Sequence, residues 1–257
     1  MIYAFSPEGI ACLDAALVTR SLLAFDIDGT LAPIVERPDD ARVPDDVQHI
    51  LADLASRFDV AIITGRAIDD ARRMLSFEPR YLVGNHGAEG LPGGDARSQS
   101  FARTVAHWRD ALVREDSLRV AGVTLEDKTY SMSLHYRRAA DESAARAAID
   151  RCAAALRPSP RVITGKAVMN LLPPDAPDKG DALRALIAAA QRDAVLYVGD
   201  DDTDETVFGL HLPSVLSVRV EPANDSAAAL FLHDQREVLT LVSYIARHTS
   251  LQPSAGN

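Results

Sequence analysis

The stretch Leu22-Leu23-Ala24-Phe25-Asp26-Ile27-Asp28-Gly29-Thr30 decides how this chain is read. A short apolar run ending in two carboxylates one residue apart describes a strand that meets a turn. Like charges that close repel, and each raises the other's pKa unless something relieves the repulsion. A divalent cation is the usual relief, and a phosphoryl group is what such a cation most often helps to bind. The competing reading is a solvated acidic turn capping the next helix, and the rest of the chain decides between them.

Working outward, β-branched or apolar runs alternate with helical patterns, which predicts a parallel sheet wrapped by helices. The expected core strands are 22–26, 60–64, 81–84, 195–199 and 215–220. Val47, Ile50, Leu51 and Leu54 recur at helical spacing over 45–57, and Leu183, Leu186, Ile187 and Ala190 do so over 179–191. Continuous apolar strands of this kind are buried on both faces. The stretch 101–172 reads differently. A helical segment around 108–114 precedes strands at 120–126 and 131–137. A helix over 141–156 aligns Ile149, Cys152, Ala153 and Leu156, and strands at 161–164 and 168–172 follow. The Gly/Ser-containing segment 92–100 and Pro173-Pro174-Asp175-Ala176-Pro177 read as hinges. The expected organisation is a core of 1–100 and 173–257 interrupted by an α/β module, 101–172.

Composition narrows the function. With 257 residues, 47% apolar and 25% charged, the chain is an ordinary globular one. No run is long enough to span a bilayer, and the first residues lack the basic region and long apolar stretch of a signal peptide. Cys12 and Cys152 lie far apart without metal-ligand spacing, which predicts a reduced cytoplasmic setting. A net charge of −10 with no Lys/Arg cluster argues against nucleic-acid and membrane partners and for a small-molecule ligand. An anionic ligand would therefore need cations supplied locally, meaning a metal and one or two well-placed basic side chains.

Chemistry-bearing residues recur in a fixed order at the expected strand ends, where open parallel sheets bind ligands. They are Asp26/Asp28, then Thr64-Gly65-Arg66, then Lys179 at the mouth of a helix, then Gly199-Asp200-Asp201-Asp202-Thr203-Asp204-Glu205. Each alone has a plain alternative: a strand-to-helix turn, a surface lysine, a solvated acidic cap. Together they suit a phosphomonoester, whose dianion repels an anionic nucleophile until its charge is spread. Asp26 and Asp200 offer hard oxygen ligands to Mg²⁺, and Asp26 is positioned to form an aspartyl-phosphate. Asp28 can protonate the leaving alcohol and later activate water. Thr64 offers its hydroxyl and backbone N–H to a phosphoryl oxygen, and Lys179 offers a point charge to the transition state.

These motifs resemble the haloacid dehalogenase-like (HAD) phosphohydrolase superfamily, whose pattern is Asp-x-Asp-x-Thr, a Ser/Thr, a Lys and an acidic motif. Finer matches resemble the trehalose-6-phosphate phosphatases: Phe25 to Leu31 with Pro33, Ile63-Thr64-Gly65-Arg66, Gly84-Asn85-His86-Gly87-Ala88-Glu89, and the acidic run from Gly199. Within the insert, Glu126-Asp127-Lys128, Leu134-His135-Tyr136-Arg137 and Gly165-Lys166-Ala167-Val168 resemble that family's cap. The resemblance covers roughly 22–208. It implies a Rossmann-like parallel-sheet HAD core with an inserted α/β cap that recognises a sugar. It further implies Mg²⁺-dependent hydrolysis of trehalose 6-phosphate. Catalysis would fall to Asp26, Asp28, Thr64 and Lys179. Asp26, the main-chain carbonyl of Asp28, and Asp200 would hold the metal, while Asp201 and Asp204 bind its waters or orient Lys179. Substrate contacts would come from Thr64, Gly65, Arg66, His86, Glu126, Lys128, Asn170 and Lys179. Arg66 has an alternative, orienting the acidic residues of the fourth motif or the helix after it. Glu126 and Lys128 have one in a cross-strand ion pair, and His135 and Tyr136 read as packing and hydrogen-bonding residues. One departure stands out: the family typically carries Glu where this chain has Asn170, which bears on the sugar and not on the core chemistry. The competing functions are a phosphatase for another sugar phosphate such as sucrose or mannosyl phosphate, a phosphomutase, and a non-catalytic regulator on the same scaffold.

Overall fold

The computed structural model describes residues 1–18, 21–35, 37, 40–165 and 167–250. Its strands are β1 (Ile2–Tyr3), β2 (Ser21–Phe25), β3 (Asp59–Ile63), β4 (Tyr81–Val83), β5 (Thr124–Asp127) and β6 (Met132–His135), followed by β7 (Arg161–Gly165), β8 (Val168–Leu172), β9 (Ala194–Gly199), β10 (Val215–Val220) and β11 (Leu230–Leu232). Two compact units emerge, one of Met1–Pro92 with Asp178–Asn257, the other of Gly93–Pro177.

The first unit is a seven-stranded parallel sheet in the order β1-β11-β10-β9-β2-β3-β4. Every residue of β2 and β3 is buried, as expected for strands covered by helices on both faces. Register then fixes the site. Phe25 lies opposite Ile62 on β3 and opposite Val198 on β9. The residues that follow each strand, Asp26, Thr64 and Asp200, therefore come out at one edge of the sheet. Helix Lys179–Ala190 starts with a capping box, Asp178 accepting from the Asp181 N–H at 2.8 Å and Asp181 from the Asp178 N–H at 3.3 Å. The flanking strands β1 and β11, of two and three residues, were too short to announce themselves in the sequence.

The second unit is an antiparallel sheet in the order β5-β6-β8-β7, packed on helices Asp95–Leu112, Asp116–Val120 and Glu142–Ala155. Met132, Leu134, Met169 and Leu171 face a core shared with Val105, Trp108 and Ile149. The opposite face aligns Glu126 with Ser133 and Ser133 with Asn170. Two expectations change here. Segment 92–100 is not a hinge throughout, because Asp95 already begins the long helix after Gly93, which adopts φ +70°. That helix continues to Leu112, and the unit starts at Gly93, ahead of the expected boundary at 101, and runs through the proline cluster to Pro177. Residues 116–120 are helical, and the strand expected over 120–126 starts only at Thr124, after Gly122 turns the chain at φ +75°.

Ile149 is fully buried in the same core cluster as Trp108, the chain's lone tryptophan. Ile149→Ala should remove about 2–5 kcal/mol from the unit's stability, read as an earlier Trp108 fluorescence transition in denaturant. A loss below about 1 kcal/mol would contradict a packed core at that position.

Candidate active site

At the C-terminal edge of the parallel sheet lies a buried ionic cluster. Lys179, only 1% exposed, donates to Asp26 Oδ2 at 2.8 Å and to Asp204 Oδ1 at 2.9 Å, with Asp201 Oδ1 at 3.9 Å. Burial alone would lower the lysine's pKa, but the Asp204 and Asp26 carboxylates more than offset it and hold the ammonium well above its ordinary value. Burial pushes the Asp26 carboxyl well up, against the pull of Lys179. Its second oxygen, Oδ1, is buried and accepts no hydrogen bond among the described residues.

Asp204 is saturated. Oδ1 takes Lys179 and the Tyr197 hydroxyl, and Oδ2 accepts the backbone N–H groups of Asp200 and Asp201 at 3.0 and 3.1 Å. It therefore orients Lys179 and shapes the acidic loop. Asp201 holds the same loop by accepting from the Thr203 N–H and hydroxyl. Burial opposes the Asp201 carboxylate, but Lys179 and those hydrogen bonds keep it well below the usual range. Arg219 braces the loop from β10, donating to Glu205 Oε1 at 2.6 Å and to the Asp201 carbonyl at 3.3 Å. Asp200 accepts from the Thr30 hydroxyl at 3.1 Å and lies against Gly29 (φ +82°), where a Cβ would sit 1.9 Å from Asp200 Oδ2. Burial, then the neighbouring Asp204 and Asp201 charges, push the Asp200 carboxyl up to about 7.

Carboxylate oxygens of Asp26, Asp201 and Asp204 lie within 4.8 Å of one another. Acids crowded around one lysine fit a hard divalent cation. Asp200 retains an oxygen for it and Asp26 Oδ2 keeps a lone pair beyond the one that Lys179 takes, whereas the oxygens of Asp204 are fully engaged.

The second motif differs from expectation in detail. The Thr64 N–H donates to the Val83 carbonyl at 2.9 Å, completing the sheet, so only the hydroxyl remains for a ligand. Arg66 pairs with the first motif. Its Nε and Nη2 donate to Asp28 Oδ2 and Oδ1, each at 2.6 Å. His86, held at φ +56°, lays its ring against Gly65, where a Cβ would fall 2.4 Å from His86 Cε1. Gly65 is thus required by the histidine beside it. Glu89 accepts from the Ile68 N–H at 2.9 Å and from Asn85 Nδ2 at 2.8 Å, tying the turn after β4 to the segment after β3.

In the second unit, Glu126 and Asn170 share the polar sheet face, and Glu126 Oε2 lies 2.7 Å from His135 Nε2. Ser133 donates to Asn170 Oδ1 at 2.6 Å. Lys128 follows β5, its N–H bonded to the Ser131 carbonyl at 3.0 Å. Lys166 lies outside the described residues. Sequence reasoning gave no role to Tyr197, Thr30, Ser133 or Arg219. A tyrosine inside an apolar strand was the available signal, since a buried hydroxyl needs a partner.

The family model described as Trehalose-phosphatase matches residues 24–234. A probable trehalose-phosphate phosphatase of Oryza sativa is 31% identical over 87% of this chain and 69% of its own length. A trehalose-phosphate phosphatase of Mycobacterium marinum is 34% identical over 88% of this chain and 62% of its own. The chain thus spans about two thirds of the length of these curated relatives. In fold, it is similar to the C-terminal domain of a Candida albicans trehalose-6-phosphate phosphatase, with a TM-score of 0.71 at 23% identity, covering 94% of this chain and 97% of that one.

The raised Asp200 carboxyl yields a test by pH. A folded-state value of about 7 against 3.8 means the folded protein prefers the neutral acid. Its contribution to stability is complete below about pH 4 and lost as pH rises through about 7. The chelated protein should therefore melt earlier at about pH 8 than at about pH 6, and Mg²⁺ should raise its melting temperature more at the higher pH. Equal Mg²⁺ effects at both pH values would contradict Asp200 as a ligand.

Proposed function

Because this chain belongs to the trehalose-phosphatase family of HAD-like phosphohydrolases, we propose that it hydrolyses trehalose 6-phosphate to trehalose and inorganic phosphate through an aspartyl-phosphate on Asp26, with Mg²⁺ as cofactor. The observation that carries this is the asymmetry of Asp26: Lys179 binds Oδ2, while Oδ1 is buried without a partner. A carboxylate held by one oxygen and free at the other is aimed as a nucleophile. Asp26 Oδ1 attacks phosphorus, and the bond from phosphorus to the sugar oxygen breaks. Asp28 gives its proton to that oxygen, then takes one from the water that cleaves the aspartyl-phosphate. The second step returns Asp26 as carboxylate and releases phosphate. The Thr64 hydroxyl and Lys179 steady the phosphoryl oxygens, with Gly65 and His86 shaping the segment beside them.

Asp26, the main-chain carbonyl of Asp28, and Asp200 would hold Mg²⁺, which when bound neutralises phosphoryl charge and fixes one oxygen. Glu126, Lys128 and Asn170 are assigned to the sugar hydroxyls. The free thiols of Cys12 and Cys152 support a reduced, cytoplasmic setting, and among the described residues no helix is long and apolar enough to cross a membrane. Asn170 favours one second reading, a phosphatase for a different sugar phosphate with the same core chemistry.

Phosphate release from trehalose 6-phosphate, sucrose 6-phosphate, mannose 6-phosphate and glucose 6-phosphate, with Mg²⁺ or EDTA, tests both readings. Metal-dependent preference for trehalose 6-phosphate is expected, and preference for another sugar would move the substrate while keeping the mechanism. Asp26→Asn, nearly isosteric, should lower turnover at least about a thousandfold with the fold retained. Turnover near the parental rate would remove Asp26 as nucleophile.

A further inference from the structure

We infer that Arg66 is a positioning residue that sets the direction of the Asp28 carboxylate and does not bind substrate. The inference rests on the proposed acid/base role of Asp28. Arg66 meets Asp28 side-on through Nε and Nη2, both bonds 2.6 Å, so the fork fixes the plane of the carboxylate as well as its place. Burial shows which partner directs the other. The Arg66 side chain is 15% exposed and that of Asp28 is 41% exposed.

Arg66 is also anchored along its backbone. Its N–H donates to Thr64 Oγ1 at 3.2 Å, and its carbonyl accepts from the Asn85 N–H at 2.8 Å. Asn85 is held in turn by Glu89, which also accepts from the Ile68 N–H. The Asp28 side chain is half-buried and has no other side-chain partner among the described residues. A braced arginine therefore aims a loosely held carboxylate.

The two carboxylates of the first motif thus have one cation each: Lys179 for the nucleophile, Arg66 for the proton carrier. The fork also constrains the reaction. Each Asp28 oxygen accepts one bond from the fork and keeps a second lone pair, so the carboxyl can face the leaving oxygen only in the plane that Arg66 sets. A lysine offers a point charge without the fork and cannot hold the carboxylate's plane.

The test is a double-mutant cycle in kcat/KM on two substrates, trehalose 6-phosphate and p-nitrophenyl phosphate, whose phenolate departs without needing a proton. Arg66→Ala should lower kcat/KM on trehalose 6-phosphate by about ten- to a hundredfold and on p-nitrophenyl phosphate by less than about threefold. Arg66→Lys should fall between Arg66→Ala and the parent. In an Asp28→Asn background, Arg66→Ala should cost less than about twofold on trehalose 6-phosphate, because there is no longer a carboxylic acid to aim. Equal losses on both substrates would overturn the inference in favour of phosphate binding. Equal losses in both Asp28 backgrounds would overturn it in favour of a sugar contact. Arg66→Gln repeats the cycle if the alanine variant does not fold. An Asp28→Asn enzyme that turns over trehalose 6-phosphate at the parental rate would instead overturn the acid/base reading, and the inference with it.

Discussion

A buried lysine ammonium governs the catalytic unit. Lys179 begins a helix, where the macrodipole is positive and a cation is unwelcome. It is there because Asp26 and Asp204 surround it, and it is fully buried because they neutralise it. Removing the lysine would leave its buried carboxylates uncompensated, at a cost of about 3–5 kcal/mol. The surrounding architecture answers to this requirement. The capping box of Asp178 and Asp181 fixes where the helix begins, and the Gly180 N–H, bonded to Thr206 Oγ1 at 3.0 Å, fastens that helix end to the acidic loop. The Tyr197 hydroxyl and the loop's own N–H groups complete Asp204, so that it serves as a fixed counter-charge.

The cluster is not electrically balanced. Asp200 and Asp201 add negative charge beside a lysine already shared by two carboxylates. In a low dielectric the surplus is costly, and the raised Asp200 carboxyl is its expression. On the proposed reading, such a site stores an affinity for a cation, which would let a strongly acidic protein accept a phosphate dianion. The same reasoning accounts for the place of Asp28, the proposed proton carrier, outside the cluster. Asp28 is paired with Arg66 at the edge and keeps partial exposure, where a proton can be exchanged with solvent.

How much of this was legible in the sequence follows from how each feature is encoded. The core strands and the order of the motifs could be read because β2, β3 and β9 are continuous apolar runs that end in polar residues. Strand ends are local features, and parallel register turns local ends into a common edge. Pairings between distant residues were not legible. Whether Arg66 turns to Asp28 or to the fourth motif depends on side-chain direction across 38 residues of separation, and nothing in Thr64-Gly65-Arg66 specifies it. The same holds for the Thr64 N–H, lost to the sheet once β4 pairs with β3. The long helix from Asp95 was hidden because its first turn and a half is polar and largely exposed, leaving Phe101, Val105, Trp108 and Leu112 to signal it.

The polar face of the second unit's sheet argues one step further about specificity. Ser133 is fully buried and donates to Asn170 Oδ1, so the amide's acceptor is engaged within the protein. On the proposed assignment of Asn170 to the sugar, its NH₂ is the group left for the ligand, and an NH₂ seeks an acceptor. A carboxylate at that position would present only acceptors and would demand donors from the ligand. Glu126, beside His135 on the same face, remains the acceptor of the row. A sugar hydroxyl can donate or accept, so the exchange does not forbid the same ligand. It reverses the direction of one hydrogen bond and removes one charge, which lowers the cost of drying the face when a sugar covers it. On that assignment, discrimination at Asn170 would rest on geometry: the ligand would have to place an oxygen lone pair, and not merely a hydroxyl group, where the amide points.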